Sequence, residues 1–179
     1  MRYEYFAAMN FEDFAGGRVL YHMPGTSNFP VRLAGEIFMR CVQFVEKEKA
    51  VLYDPCCGGG HLLTVLGFLC GDRIGSVYGS DIDEEAVALA AKNLSLLTEE
   101  GLARRKAQLT DVPYGNPASW SEDSPFAVDI LLDSVTPVIH DRSVVAVCSD
   151  KSQKIANPRF KRLQKMDAGK RKIELLRKI

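Results

Sequence analysis

The run Val51–Gly67, VLYDPCCGGGHLLTVLG, sets the tightest limit on what this chain can fold into. An apolar strand passes through an acidic residue, Asp54, into three consecutive glycines and then into an apolar helix. VYGSDIDEEAVALAAKNL then repeats the order, with a second strand ending in Asp81 and a second helix rich in Ala and Leu. Parallel strands need a crossover helix between them, and this spacing supplies one, so the chain is predicted to be α/β and Rossmann-like with a mostly parallel sheet. A glycine turn after the first strand lets backbone approach a ligand. A carboxylate after the second can take ribose hydroxyls, so the unit reads as a site for an adenosine cofactor.

The glycine spacing narrows the cofactor. Gly58-Gly59-Gly60 followed by His61 does not fit the dinucleotide pattern G-x-G-x-x-G, and no G-x-x-x-x-G-K-[ST] phosphate loop occurs. What remains is D-P-x-C-G-x-G, the pattern of S-adenosylmethionine (SAM) methyltransferases, whose cofactor has no phosphate and needs side-chain-free backbone beside its methionine half. Cys56, Gly58, Gly60 and His61 would line that turn, and Asp54 would accept from the cofactor's ammonium group. Read alone, three glycines are equally an ordinary strand-to-helix turn; Asp54, Pro55 and Asp81 at the strand ends favour the cofactor site.

With 179 residues, 46% apolar and 26% charged, the chain is expected to form one soluble domain, residues 1–179, with its own core. The opening residues MRYEYFAAMNFEDF carry acidic charge and no basic stretch before an apolar run, unlike a signal peptide, and nothing spans a membrane, so a cytoplasmic protein is expected. Five cysteines without metal-type spacing, two of them adjacent on the glycine turn, read as reduced thiols. His61 has no cluster of His or Cys around it in the sequence, and no metal is expected. His22 and His140 read as surface or packed histidines. The charges balance, 23 of each sign, but unevenly: Met1 to Asp150 carries 12 basic against 21 acidic residues, and Lys151 to Ile179 carries 11 against 2. A basic segment beside an acidic body suits a phosphate-backbone partner; alone, it reads rather as a solvated terminal face.

The predicted elements begin with a short strand at Arg18 to Tyr21 and a turn at Pro24-Gly25. A helix follows from Pro30 through about Glu46, with Asn28 as a cap candidate and apolar residues at helical spacing from Val31 to Val45. The core unit is a strand at 50–54, a helix at 60–69, a strand at 76–80 and a helix at 83–97, with Gly101 ending that helix or lying just beyond it. Ser124-Pro125 opens a further helix whose face is Val128, Leu131, Leu132 and Val135, closed by Pro137, leaving Asp133 on the surface. VVAVCSD at 144–150 reads as a buried parallel strand, and RFKRLQKMDAGKRKIELLRKI as two strands around Asp167-Ala168-Gly169, with a basic helix as the alternative for its first half.

The middle departs from the usual fold. Only EEGLARRKAQ separates the second helix from the next motif, too little for a third strand, its helix and a returning strand. Either those elements are lost or a longer insertion is missing from the chain.

That next motif is LTDVPYGNPASW. Aspartate, proline and an aromatic after a strand form the D-x-P-Y catalytic loop of methyltransferases that modify nucleobases. Tyr114 would give an unstacked base a flat surface, Pro113 would limit the loop's movement, and Asp111 would accept a hydrogen bond from a base N–H and hold that nitrogen toward the methyl. The methyl donor is already activated, so alignment does most of the catalysis. Read alone, VPYGNP is equally a plain turn.

Together these residues resemble a known family, the AviRa-type ribosomal RNA methyltransferases associated with avilamycin resistance. The resemblance runs through VLYHMPGTSNFPVRLAGEIF, DPCCGGGHLLTVLG, SDIDEEAVALAAKNLSLLTEEGL, LTDVPYG with Trp120 after it, and VAVCSDKSQKI. It implies a SAM-dependent enzyme acting on a guanosine of large-subunit ribosomal RNA, met as RNA, ribosomal subunit or assembly intermediate. It places Asp54, Gly58, Gly60 and Asp81 at the cofactor and Asp111, Pro113 and Tyr114 at the target base. The departure between Arg105 and Leu109 falls where the third strand's loop normally walls the adenine. Arg32 is a candidate for the cofactor carboxylate, with an exposed helix arginine as the alternative. Two rival functions share the motifs: a methyltransferase for a small molecule or protein, and a SAM-fold protein that binds RNA without turnover.

Overall fold

The computed structural model describes residues 2–15, 18–23, 28–108 and 127–179. The expected turn at Pro24-Gly25, the loop residues Asp111, Pro113 and Tyr114, Trp120 and the helix start at Ser124-Pro125 lie outside the described residues. The chain divides into two compact units, one of Glu4–Phe38 and Lys47–Trp120, the other of Met1–Tyr3, Met39–Glu46 and Ser121–Ile179.

The first unit contains the predicted strand–helix–strand–helix series. It opens with a single turn, α1 (Glu12–Ala15), and the start of α2 (Val31–Val42), whose residues from Met39 belong to the other unit. β1 (Ala50–Asp54) runs into the glycine turn and α3 (His61–Cys70); a short 3-10 turn at Gly71–Arg73 leads to β2 (Ile74–Gly79), which pairs with β1 in parallel, Tyr53 opposite Tyr78. α4 (Glu84–Ser95) follows, its N-terminus capped by Asp83, whose carboxylate accepts from the N–H groups of Glu85 and Ala86. Cys57, Leu63 and Ala90 bury a small core against Leu52, Val77 and Leu94, directly under the turn. Leu20, Val31, Val65 and Leu96 form a second core with Phe11, Phe14 and Phe68.

α2 stops at Val42, short of the expected Glu46, and gives way to turns closed by Phe44 N–H to Cys41 O and Val45 N–H to Val42 O. Arg18 to Tyr21 form no strand; side chains from α4 and a further helix satisfy their backbone instead. That helix, α5 (Glu99–Gln108), holds Gly101, which therefore does not end α4 (Glu84–Ser95) but lies beyond it, inside the next helix. Thr98 starts it, with its Oγ1 accepting the Gly101 N–H at 3.1 Å, and Gly101 is buried in the first turn where a Cβ would overlap the Ser95 carbonyl. Glycine is there because the end of α4 lies against it.

The second unit holds α6 (Ala127–Val135), a 3-10 turn over Thr136–Val138 that contains Pro137, and an antiparallel sheet of β3 (Val144–Asp150), β4 (Phe160–Ala168) and β5 (Arg171–Lys178) in the order β3-β5-β4. The hairpin around Gly169 forms as strands, not as a basic helix. The parallel assignment of VVAVCSD is corrected: β3 pairs antiparallel with β5, Val147 opposite Glu174. Apolar runs mark burial, not direction. β5 is the central strand, and Ile173 and Leu175 are fully buried. The described strands therefore form one parallel pair and one antiparallel sheet, so the mostly parallel arrangement is met by β1 and β2 alone. Val128 and Leu132 of α6 pack on Val147, Phe160 and Leu176. No helix among the described residues is long and apolar enough to cross a membrane.

Candidate cofactor site at the glycine turn

The end of β1 is fastened to the end of β2 beyond the last ladder pair. Ser80 N–H reaches Asp54 O at 3.0 Å, Cys57 N–H returns to Ser80 O at 2.9 Å, and Tyr53 Oη lies 2.9 Å from Ser80 Oγ. Asp54 Oδ1 accepts the Cys56 N–H at 3.0 Å. Asp81 Oδ2 accepts the Gly58 N–H at 2.8 Å, and its Oδ1 the Asp83 N–H at 3.1 Å. The two predicted carboxylates therefore converge on the same turn, each holding part of its backbone. Each carboxylate oxygen keeps acceptor capacity beyond these bonds.

The glycines have different tasks. Gly60 caps α3 in the left-handed region, φ 71°, and a Cβ there would stand 2.9 Å from Ala90 Cα. Gly58 also has positive φ, 49°, but a Cβ on it would meet no heavy atom of the described residues within 4 Å. One glycine is closed in by α4 and the other faces open space.

The electrostatics of the turn favour a cationic ligand. Burial pushes the Asp54 carboxyl above its ordinary value; the Cys56 N–H pulls it back and the nearby Asp81 charge raises it further. Neither carboxylate has an ion pair among the described residues. Cys57 is buried, and burial with the same two carboxylates pushes its thiol up to about 11; Cys56, exposed, is also raised, by desolvation first and then Asp54 and Asp81. Both thiols are neutral at physiological pH. Ile82, next to Asp81, is 100% exposed, an apolar side chain wholly in solvent beside the turn. Among the described residues no group of three or more His, Cys, Asp or Glu could hold a metal ion.

Two predicted residues are turned toward the N-terminal segment. His61 Nε2 lies 3.0 Å from Phe14 O, its Nδ1 is buried without a partner, and desolvation lowers its pKa against the Phe14 bond. Arg32 is half-buried and its Nε donates to Phe6 O at 3.1 Å. One turn along α2, the fully buried Glu36 accepts the N–H groups of Glu4, Tyr5 and Phe6.

Sequence reasoning passed over Asn93, which is 1% exposed on α4. Its Nδ2 donates to Gly59 O at 2.7 Å and to Tyr21 O at 3.0 Å, and its Oδ1 accepts the Tyr21 N–H at 2.7 Å. The signal was present: an amide between Ala90 and Leu96, on the buried side of an otherwise apolar helix, needs partners for all its bonds.

Comparison with known proteins accords with this geometry. The family described as rRNA methyltransferase AviRa matches residues 1–110 and 109–171. The 23S rRNA (guanine(2535)-N(1))-methyltransferase of Streptomyces viridochromogenes is 32% identical over 228 aligned residues, covering 92% of this chain and 91% of that protein. The solved structure of the rRNA methyltransferase AviRa from the same organism is similar with a TM-score of 0.72 and 28% identity, over 96% of this chain and 94% of that one. A second structure of it gives 0.68 at the same identity.

Proposed function

We propose a function that proceeds from one fact: the chain belongs to the AviRa family of rRNA methyltransferases. Methyltransferases of this kind use SAM in general. The chain is read as a SAM-dependent enzyme that methylates a guanine base in large-subunit ribosomal RNA, with the ring nitrogen N1, named for the Streptomyces relative, as acceptor. Its ribosomal substrate makes it cytoplasmic. The family match takes in the first unit as far as residue 120 and the second as far as residue 171, which supports one methyltransferase domain over residues 1–179.

The observation that carries this reading is the convergence of Asp54 and Asp81 on one turn, Asp54 on the Cys56 N–H and Asp81 on the Gly58 N–H. SAM brings an ammonium and a sulfonium charge and an activated methyl group. An acidic turn with no ion pair of its own and an open side at Gly58 fits such a ligand. Asp54 would hold the ammonium, Asp81 the ribose hydroxyls, and Cys56, Gly58 and Gly60 the methionine half, while Ile82 offers its exposed side chain to the adenine. Arg32 and His61, bound to Phe6 O and Phe14 O, would serve this site by fixing the N-terminal segment beside it. Asp111 would accept the base N–H, Pro113 would restrict the loop and Tyr114 would stack on the base.

A middle shorter than the relative's is supported by two observations. The alignment with the relative runs over 228 positions, more than this chain's 179 residues, and the two matched stretches meet at residues 109–110, just after α5.

For the RNA, the basic segment divides by structure. Lys151, Arg159, Arg162, Lys172 and Lys178 have ion pairs to Asp167, Asp133, Glu174, Glu174 and Asp141, and Arg177 donates to Phe44 O. Lys154, Lys161, Lys165 and Lys170 are exposed without ion pairs among the described residues, and they are the cations available to phosphates.

The test is transfer of labelled methyl from SAM to unmodified large-subunit RNA and to RNA lacking it, with wild type and Asp111→Ala. Label confined to ribosomal RNA and lost in the variant is expected. SAM binding without transfer would refute the enzyme reading in favour of an RNA-binding module.

A further inference from the structure

We propose that Tyr21 is a positioning residue that ties the glycine turn to the start of the catalytic loop, an inference that rests on the reading of Asp111 and Tyr114 as that loop. Residues 18–23 belong to no helix or strand, so their backbone groups must be satisfied from outside. Arg105 of α5 does most of this: its Nε donates to Val19 O at 2.8 Å and its Nη2 to Leu20 O at 3.1 Å, with Arg18 O at 3.5 Å. Tyr21 is held differently. Both its N–H and its C=O are taken by Asn93, and the same buried amide bonds Gly59 O in the cofactor turn. A shift of the Tyr21 backbone is therefore a shift relative to Gly59.

The side chain of Tyr21 faces the other way. Its ring lies under the Arg105 guanidinium, 4.2 Å from the ring centroid, and its hydroxyl donates to Gln108 Oε1 at 2.7 Å. Gln108 closes α5, and only Leu109 and Thr110 separate it from Asp111 in the chain. One residue thus holds the donor's turn by its backbone and, by its hydroxyl, the last residue of α5, three before Asp111 in the chain. Because alignment is the main thing such an enzyme supplies, loss of the hydroxyl should appear in turnover and not in cofactor affinity.

Tyr21→Phe removes one bond and leaves the ring, the cation–π contact and the Asn93 bonds in place. The measurements are SAM affinity by calorimetry, kcat and KM for ribosomal RNA, and the thermal midpoint, on Tyr21→Phe, Gln108→Leu, their double variant and Gln108→Glu. Tyr21→Phe and Gln108→Leu are each expected to lower kcat about tenfold, with SAM affinity within about twofold of wild type. The double variant should be no worse than either single, since both remove the same bond. Gln108→Glu keeps an acceptor for the hydroxyl and should retain wild-type kcat. Wild-type turnover in Tyr21→Phe, multiplied losses in the double, or a fall in melting or SAM affinity matching the fall in kcat would overturn the proposal. A wild type that binds SAM but transfers nothing to ribosomal RNA would bring down the loop reading and the proposal with it.

Discussion

Alanine at two glycines of the same turn should produce opposite defects. At Gly60, alanine would bear the left-handed penalty of ~1–2 kcal/mol at φ 71°, ψ 15°. Reduced freedom of the unfolded chain returns ~0.4–1 kcal/mol. The new Cβ would also stand 2.9 Å from Cα and Cβ of Ala90 and 3.3 Å from its carbonyl oxygen. Ala90 is 4% exposed in the middle of α4, and backbone cannot swing aside as a side chain does. Overpacking of that kind adds ~1–3 kcal/mol, for a net loss of about 2–4 kcal/mol. At Gly58 the backbone penalty is similar but no atom of the described residues lies within 4 Å, so the net cost is about 1 kcal/mol or less. In a chain of this length 1 kcal/mol moves the midpoint ~2–4 °C, so Gly60→Ala should melt roughly 5–15 °C lower and Gly58→Ala only a few degrees lower. Calorimetry with SAM should give the reverse order among folded proteins: Gly58→Ala loses about tenfold or more in affinity, because its methyl group occupies the open side of the turn. Equal melting of the two variants would refute the packing argument. Wild-type SAM affinity in Gly58→Ala would show that the open space is not the cofactor's.

Three further outcomes are expected. Burial pushes the Glu174 carboxyl up, but its bonds to Arg162 and Lys172 outweigh this and hold it below the usual glutamate value of 4.5, so its stabilising effect is full above that pH and is lost as pH falls through the lowered value. Glu174→Gln, which leaves Lys172 buried without its partner, should cost about 3 kcal/mol at neutral pH in urea unfolding, and the gap to wild type should close in acid; a constant gap contradicts the assignment. With thiols pushed up to about 12 at Cys41 and about 11 at Cys57 and Cys70, alkylation of the folded protein at mildly alkaline pH should reach the exposed Cys56 first, as peptide masses will report; early labelling of Cys57 would contradict the burial argument. Lys161, Lys165 and Lys170 changed together to Glu should weaken RNA binding and reduce the salt slope by about 2–3, whereas an unchanged slope would mean that the phosphates lie elsewhere.

What the sequence disclosed about the turn and what it withheld differ in physical range. β1, α3, β2 and α4 were legible because their signals are local: Asp54 ends β1 and Asp81 follows β2 two residues on, Gly58 and Gly60 carry positive φ, and Asp83 precedes a helix. α5 was hidden because EEGLARRKAQ is polar and holds a glycine, which usually weakens a helix by about 1 kcal/mol. Thr98 as its cap and the approach of Ser95 O to Gly101 explain it only once α4 is in place. The direction of VVAVCSD was illegible for a similar reason, since pairing with β5 is a property of two strands and an apolar run reports only one. Asn93 and Glu36 were the largest omissions. Each is a polar residue on a mostly apolar helix face, and its meaning lies in partners far along the chain, Tyr21 and Gly59 for one, Glu4 to Phe6 for the other.

The order β3-β5-β4 bears on how the protein is born. Among the described residues β3 and β4 share no ladder with each other; each pairs with β5, which follows both in the chain. As the polypeptide leaves the ribosome, β1 and β2 have each other, with α3 and α4, long before Arg171 is made, and domains synthesised first fold first at ~5–20 residues per second. The sheet of the second unit waits. Until β5 arrives, the apolar faces of β3 and α6 and the edge of β4 have nothing to cover them, and the residues Met39–Glu46 assigned to that unit wait longer still. The nascent protein thus carries the unit of the glycine turn formed while its basic unit is still open, and β5, when it emerges, completes a sheet instead of extending one.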